Sequence, residues 1–200
     1  MPPPYRTAWN GIMEYPKRKH PRLKQYDYSL PGYYYVTIHL EKGNPGLSRI
    51  RQGDVFALPT VELSSLGEIA ERELLALEAR YGCVRIDKYV IMPTHIHVIL
   101  RLMERVVGAS PCPTVPEIIG AYKSLTTRAC NRAFNTPGRK LFQTAFYEAV
   151  LRNEKDYQER WRYIDENPAR WLLNPEDIGN RYHDGGGKPP PYEKTGGILE

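Results

Sequence analysis

Along residues 33–40 the side chains alternate so that Tyr34, Val36, Ile38 and Leu40 share one face of an extended chain. Tyr33, Tyr35, Thr37 and His39 share the other, and the preceding Pro-Gly supplies a turn, so this is the first predicted strand. A Gly/Pro-punctuated loop over 43–60 leads into "VELSSLGEIAERELLALEARYG", which has helical period. Leu66, Ile69, Leu74, Leu75 and Leu77 form its apolar stripe, and Gly82 is its stop. "CVRIDKYVIM" and "HIHVILRL" read as a hairpin turning at Pro93-Thr94, followed by the connector "VVGASPCPTV". A second helix, "PEIIGAYKSLTTRACNRAF", carries Pro116 near its first turn. "NTPGRK" is a loop and "LFQTAFYEAVLR" a last strand. "NEKDYQERWRYIDENP" is a third helix, with Asn153 as its N-cap and Pro168 as its stop.

The order β-α-β-β-α-β plus one more helix predicts a ferredoxin-like α+β domain. Its antiparallel sheet carries helices on one face, leaves the other open, and gains an added C-terminal helix. No internal repeat interrupts this plan. Residues 1–20 read as a flexible basic arm, 21–175 as the folded domain, and 176–200, with "GGGKPPPYEKTGG", as a disordered tail.

Composition narrows the class. Hydrophobic residues at 41% and charged residues at 26% describe a soluble globular chain. The aromatics comprise 15 Tyr, 4 Phe and 3 Trp, a balance suited to partly exposed stacking surfaces. A formal charge of +5 and a pI near 9.0 accord with a polyanionic partner. Lys17, Arg18, Lys19, Arg22 and Lys24 are packed into "KRKHPRLK", a run able to contact phosphates. The chain shows no signal-peptide pattern and no apolar run long enough to span a bilayer, so no membrane partner is expected. Cys83, Cys112 and Cys130 form no C-x-x-C and leave an odd count, which points to a reducing cytoplasm without disulfides.

The candidate chemistry sits in "YVIMPTHIHVIL". In a strand, His95 and His97 project to one side while Ile96, Val98 and Leu100 face the core. Two imidazoles so placed can share a metal ion, although an isolated H-x-H is more often a solvated strand face. In the third helix, Tyr157, Trp161 and Ile164 mark the buried stripe. Tyr163 lies about 120° away, on the flank of Asp156, Arg160 and Asn167. Tyr163 and Asn167 are i, i+4 neighbours and meet at one spot. A tyrosine one turn from an amide, facing paired histidines, suggests metal-assisted attack by a phenol. From the helix alone, an interfacial tyrosine with a C-terminal Asn before proline is the simpler account. Tyr147 and Tyr157 are rival nucleophiles, but neither has a ligand-type residue four positions downstream.

"MPTHIHVIL" resembles the histidine-hydrophobe-histidine (HUH) motif of single-tyrosine transposases. The chain more specifically resembles the REP-associated tyrosine transposases, over roughly residues 20–175, in "RLKQYDYSLPGYYYVTI", "EIIGAYKSLTTR", "LFQTAFYEAVLRNEKD" and "YIDENPARW". The resemblance implies a metal-dependent single-stranded DNA endonuclease and strand-transferase. Tyr163 would be the nucleophile, and His95, His97 and Asn167 would hold a divalent cation, Mg²⁺ or Mn²⁺. A free phenol has a pKa of about 10, so the cation would act as Lewis acid on the scissile phosphate. Attack would leave a 5′-phosphotyrosine and a free 3′-OH. The implied partner is single-stranded DNA carrying a palindromic hairpin, in a cytoplasmic, nucleoid-associated setting. A monomer is expected, with a dimer as the alternative.

Tyr35 would stack an unpaired base, and Lys123, Arg128, Arg139 and Arg152 would contact phosphates alongside the basic arm. His39 reads as a polar-face histidine that approaches the site. Phe142 replaces a usual Trp before Gln143, and Ala149 stands where a histidine is common, which puts DNA contacts there in doubt. Two other functions stay open on the same fold: a non-catalytic nucleic-acid-binding regulator, and a replication initiator or relaxase. No helicase or primase motif follows "YIDENP", which counts against the second.

Overall fold

The computed structural model describes residues 26–53, 58–104 and 111–173. In chain order the elements are β1 (Gly32–His39), β2 (Ser48–Arg51), β3 (Thr60–Leu63), α1 (Ser65–Arg80), β4 (Val84–Ile91), β5 (His95–Leu102), α2 (Val115–Ala133), β6 (Tyr147–Leu151) and α3 (Glu154–Leu173). Four strands form an antiparallel sheet in the order β4-β5-β1-β6. This is the expected ferredoxin-like arrangement, with α3 added after the last strand.

The stretch 43–60 holds more than a loop. β2 and β3 pair as a small hairpin inserted between β1 and α1. Residues 61–63, expected to begin the first helix, are therefore strand. The helix begins where Ser64 caps it, the hydroxyl accepting from the Gly67 N–H. α1 is clamped to the hairpin there, and a Cβ built on Gly67 would lie 2.0 Å from the Leu47 carbonyl oxygen. Only glycine permits that approach.

α1 and α2 cover one face of the sheet. Tyr34, Val36 and Ile38 of β1 and Ile96, Val98 and Leu100 of β5 point into this core, as their alternation predicts. They meet Leu66, Ile69, Leu74 and Leu77 of α1 and Ile118, Ile119 and Tyr122 of α2. Leu75 does not join the α1 stripe and is exposed. α2 starts with a capping box in which Thr114 and Glu117 satisfy each other's backbone N–H groups. The Tyr122 hydroxyl donates to the Ala70 carbonyl and joins the two helices.

One expectation about the cysteines is overturned. Cys83 and Cys112 form a disulfide that ties the start of β4 to the segment entering α2, while Cys130 is a buried free thiol. The strand and the segment lie 29 residues apart in sequence yet adjacent in space, a pairing that C-x-x-C spacing cannot reveal.

The opposite face of the sheet is not open: α3 lies across it. β4 prepares this docking through a bulge between Ile86 and Lys88. Val84 and Ile86 fall in one alternation phase, whereas Tyr89 and Ile91 fall in the other. The extra residue reconciles them on the same core face. Asp87 and Lys88 are left to engage α3, Asp87 accepting from the Tyr157 hydroxyl at 2.6 Å and Lys88 pairing with Asp165. α3 continues through Pro168, which was expected to stop it. The missing N–H leaves the Ile164 carbonyl without its helical partner, but Pro168 is buried and a further turn follows. Among the described residues no helix is long and apolar enough to cross a membrane.

Gly67→Ala should destabilise the fold by roughly 3 kcal/mol, because the new methyl meets backbone that cannot yield cheaply; urea unfolding measures it. Cys112→Ser should lower stability by about 2–4 kcal/mol under oxidising conditions through loss of loop closure. In reductant the two proteins should unfold alike.

Candidate active site

The β1–β5 register sets Thr37 opposite His97 and His39 opposite His95, with all four on the α3 side of the sheet. His95 and His97 are fully buried and their rings lie 4.5 Å apart in an edge arrangement. Each histidine is anchored through Nδ1. That of His97 lies 2.7 Å from the Tyr35 hydroxyl and 2.9 Å from Thr37 Oγ1, and that of His95 lies 3.1 Å from Thr94 Oγ1. Both Nε2 atoms are buried without a hydrogen-bond partner. The same holds for both side-chain amide atoms of Asn167, which is itself fully buried. Buried polar groups are nearly always satisfied. A concentration of unsatisfied polar atoms at one place therefore calls for an occupant.

α3 delivers the other half of the site. Asn153 caps it by accepting from the Asp156 N–H, and the residues buried along the helix are Tyr163, Ile164, Asn167 and Pro168. The inward arc is thus centred on the flank expected to carry the chemistry, while Tyr157 and Trp161 are only partly buried at its edge. Hydrophobic periodicity misplaced the stripe because the polar pair is itself buried by its task. Tyr163 is 5% exposed, and its ring stands edge-on to His97 with centroids 5.2 Å apart. Arg170 lies over the Tyr163 ring and pairs with Glu166, and Trp171 approaches His95 from the turn beyond Pro168.

Burial dominates the electrostatics. It pushes the His95 imidazole down to about 3, aided by His39 and opposed by the side chain of Asn167 beside it. His97 is driven well below its ordinary range, first by burial and then by His95, His39 and Arg160. Both rings are therefore uncharged at neutral pH, and with the proton on Nδ1 each offers an Nε2 lone pair. The Tyr35 phenol is pushed far up by burial and by Tyr163. Among the described residues no third His, Cys, Asp or Glu completes a metal cluster. The Asn167 carboxamide is the ligand-type group beside the pair.

The remaining sequence-selected residues fall in varied places. Tyr35 is 1% exposed, with its ring stacked on His97 and its hydroxyl on Nδ1. A base-stacking platform needs an open face, so Tyr35 supports His97 instead. Lys123 is on the α2 side, where its ammonium donates to the Gln143 and Thr144 carbonyls. Arg139 donates to the Gly43 carbonyl, while Arg128 and Arg152 are exposed, the latter at the turn into α3. Lys17, Arg18, Lys19, Arg22 and Lys24 lie outside the described residues. Of the rival tyrosines, Tyr157 commits its hydroxyl to Asp87, and Tyr147 packs its ring edge-on to Tyr35. Sequence reading missed Thr37 as a histidine anchor. Its place two residues from Tyr35 on the polar face was the available sign, legible only once the register with His97 is known.

No protein-family model matches this chain. It is 27% identical over 180 residues to an uncharacterized protein of Haemophilus influenzae, covering 82% of this chain and 94% of that one. Its structure is similar to that of a REP-associated tyrosine transposase bound to a REP hairpin. The TM-score is 0.55 at 19% identity, over 90% of this chain and 99% of the other. The chain has the fold of that transposase along most of its length.

Proposed function

We propose that this protein is a transposase of the REP-associated tyrosine type, cutting and rejoining single-stranded DNA beside a hairpin through a covalent tyrosine link. The observation that carries the reading is Tyr163, held edge-on to His97 at a site where two buried Nε2 atoms and the Asn167 amide have no partner. The likeness in fold to a transposase bound to a REP hairpin supports DNA of that kind as the partner.

The donor set fits a divalent cation: two neutral imidazoles and one amide oxygen, all buried and otherwise unengaged. His95, His97 and Asn167 would hold Mn²⁺ or Mg²⁺, and when bound the ion would withdraw charge from the scissile phosphate as a Lewis acid. An imidazole that ligates through Nε2 keeps its proton on Nδ1, and the hydroxyl oxygens of Tyr35 and Thr37 lie within reach to accept it from His97. Tyr163 attacks phosphorus, forming a tyrosyl phosphodiester at the 5′ side as the bond to the 3′ oxygen breaks. The phenol's proton passes through solvent to the released 3′ oxygen. The new ester keeps a phosphodiester linkage, so a returning 3′-OH can reverse the step without an external energy source. Every group comes from one chain, which supports a monomer. Such a protein would act on the nucleoid in the cytoplasm, where the Cys83–Cys112 disulfide would be open to reduction.

In a denaturing-gel assay with a labelled hairpin oligonucleotide and Mn²⁺, the wild-type chain should form a covalent adduct. Tyr163→Phe should abolish it while leaving hairpin affinity within about threefold, since only a hydroxyl is lost. An adduct that survives Tyr163→Phe and disappears in Tyr147→Phe would move the nucleophile to β6; no adduct from the wild type would favour a binding protein. Asn167→Leu should weaken Mn²⁺ binding measured by electron paramagnetic resonance. It should also keep or raise the thermal midpoint, because it removes unsatisfied polar atoms whose burial costs about 1–3 kcal/mol each.

A further inference from the structure

We propose that Arg160 is a catalytic residue that grips the non-bridging oxygens of the scissile phosphate while Tyr163 attacks. The inference rests on the transposase reading and adds a group to it. Arg160 lies three residues before Tyr163 on α3, so the two side chains leave the same flank of the helix. Its guanidinium carbon is 5.1 Å from the centroid of the Tyr35 ring. Tyr35 in turn stacks on His97 at 5.6 Å and meets the Tyr163 ring edge-on at 6.4 Å. The guanidinium is thus one aromatic ring away from both the nucleophile and a candidate metal ligand.

Two other cations at the buried side of α3 carry ion pairs. Lys88 pairs with Asp165, and Arg170 pairs with Glu166. Among the described residues no carboxylate pairs with Arg160. It is half-buried, with an aromatic face beneath it in place of a counter-ion. A planar guanidinium held this way keeps its donor fork for a phosphate, which it can take with two parallel N–H bonds.

The chemistry gives such a donor a defined task. As the bond from Tyr163 oxygen to phosphorus forms and the bond to the 3′ oxygen breaks, charge accumulates on the two non-bridging oxygens. Donors fixed where that charge develops lower the barrier more than they tighten binding, because they need no reorganisation during the step. Arg160 neither takes nor gives a proton. The exchange of phenol proton for 3′-OH proton balances without it.

The test uses a single-stranded oligonucleotide with an imperfect-palindrome hairpin from the flanks of the gene, with Mn²⁺, in single-turnover reactions of the full chain. Arg160→Gln should slow adduct formation by about 100-fold or more. Hairpin affinity and Mn²⁺ binding should change less than about threefold, and the thermal midpoint should hold. Arg160→Lys, which keeps the charge but not the fork, should recover part of the loss. A second substrate carries a neutral methylphosphonate at the linkage the wild type cuts. On it the gap between wild type and Arg160→Gln should collapse, since the charge that the guanidinium neutralises is gone. A packing role would preserve the gap, and that result overturns the proposal. So does wild-type cleavage by Arg160→Gln with Tyr163→Phe inactive, which would leave the transposase reading standing. Failure of the wild type to form any adduct, or an adduct from Tyr163→Phe, overturns both.

Discussion

The burial of two uncharged imidazoles between the sheet and α3 is the constraint around which this face of the molecule is arranged. A ring with two nitrogens cannot be taken out of water for nothing. Here each Nδ1 is met by a hydroxyl from the sheet or its hairpin turn, while each Nε2 is left without a partner. The arrangement stiffens the rings and directs their unused lone pairs to one place. It also requires a cover, because an open sheet face would let water satisfy the same atoms. α3 is that cover and carries Tyr163 and Asn167 as part of the same surface.

The two faces of the sheet accordingly follow different rules. Toward α1 and α2 the packing is apolar and continuous, reinforced by helix caps, the close approach at Gly67 and a disulfide. Toward α3 the contacts are tyrosines, histidines and paired charges around a small cluster that includes Tyr35, Ile99 and Ile164. Stability is concentrated on the first side, and the second can therefore hold unsatisfied polar groups without endangering the fold.

Much of this was legible in the chain. The alternation in "YYYVTIHL" and "HIHVILRL" gave the correct inward faces for both central strands, because apolar and polar residues there separate cleanly. The Tyr163–Asn167 pairing on one flank was equally accessible from helical spacing. What escaped was governed by tertiary contact. Polarity alone predicts solvent exposure for Tyr35 and the histidines, whereas α3 buries them. The β2–β3 hairpin was hidden by a Gly/Pro-rich stretch. Pro168 looked like a terminus because local rules cannot know that the ring packs inward. The partnership of Cys83 with Cys112 depends on two segments being brought together by the sheet and α2.

The bulge in β4 belongs to the docking of α3 and not to the core. Asp87 is the residue that the ladder skips, since Ile86 pairs with Leu100 and Lys88 with Ile99. Without Asp87 the strand would pair regularly, and Val84, Ile86, Tyr89 and Ile91 would alternate in one phase on the core face with their partners unchanged. What would be lost is the carboxylate that receives the Tyr157 hydroxyl. A deletion far from Tyr163 along the chain would thus leave the core intact and reach the tyrosine through the anchorage of its helix.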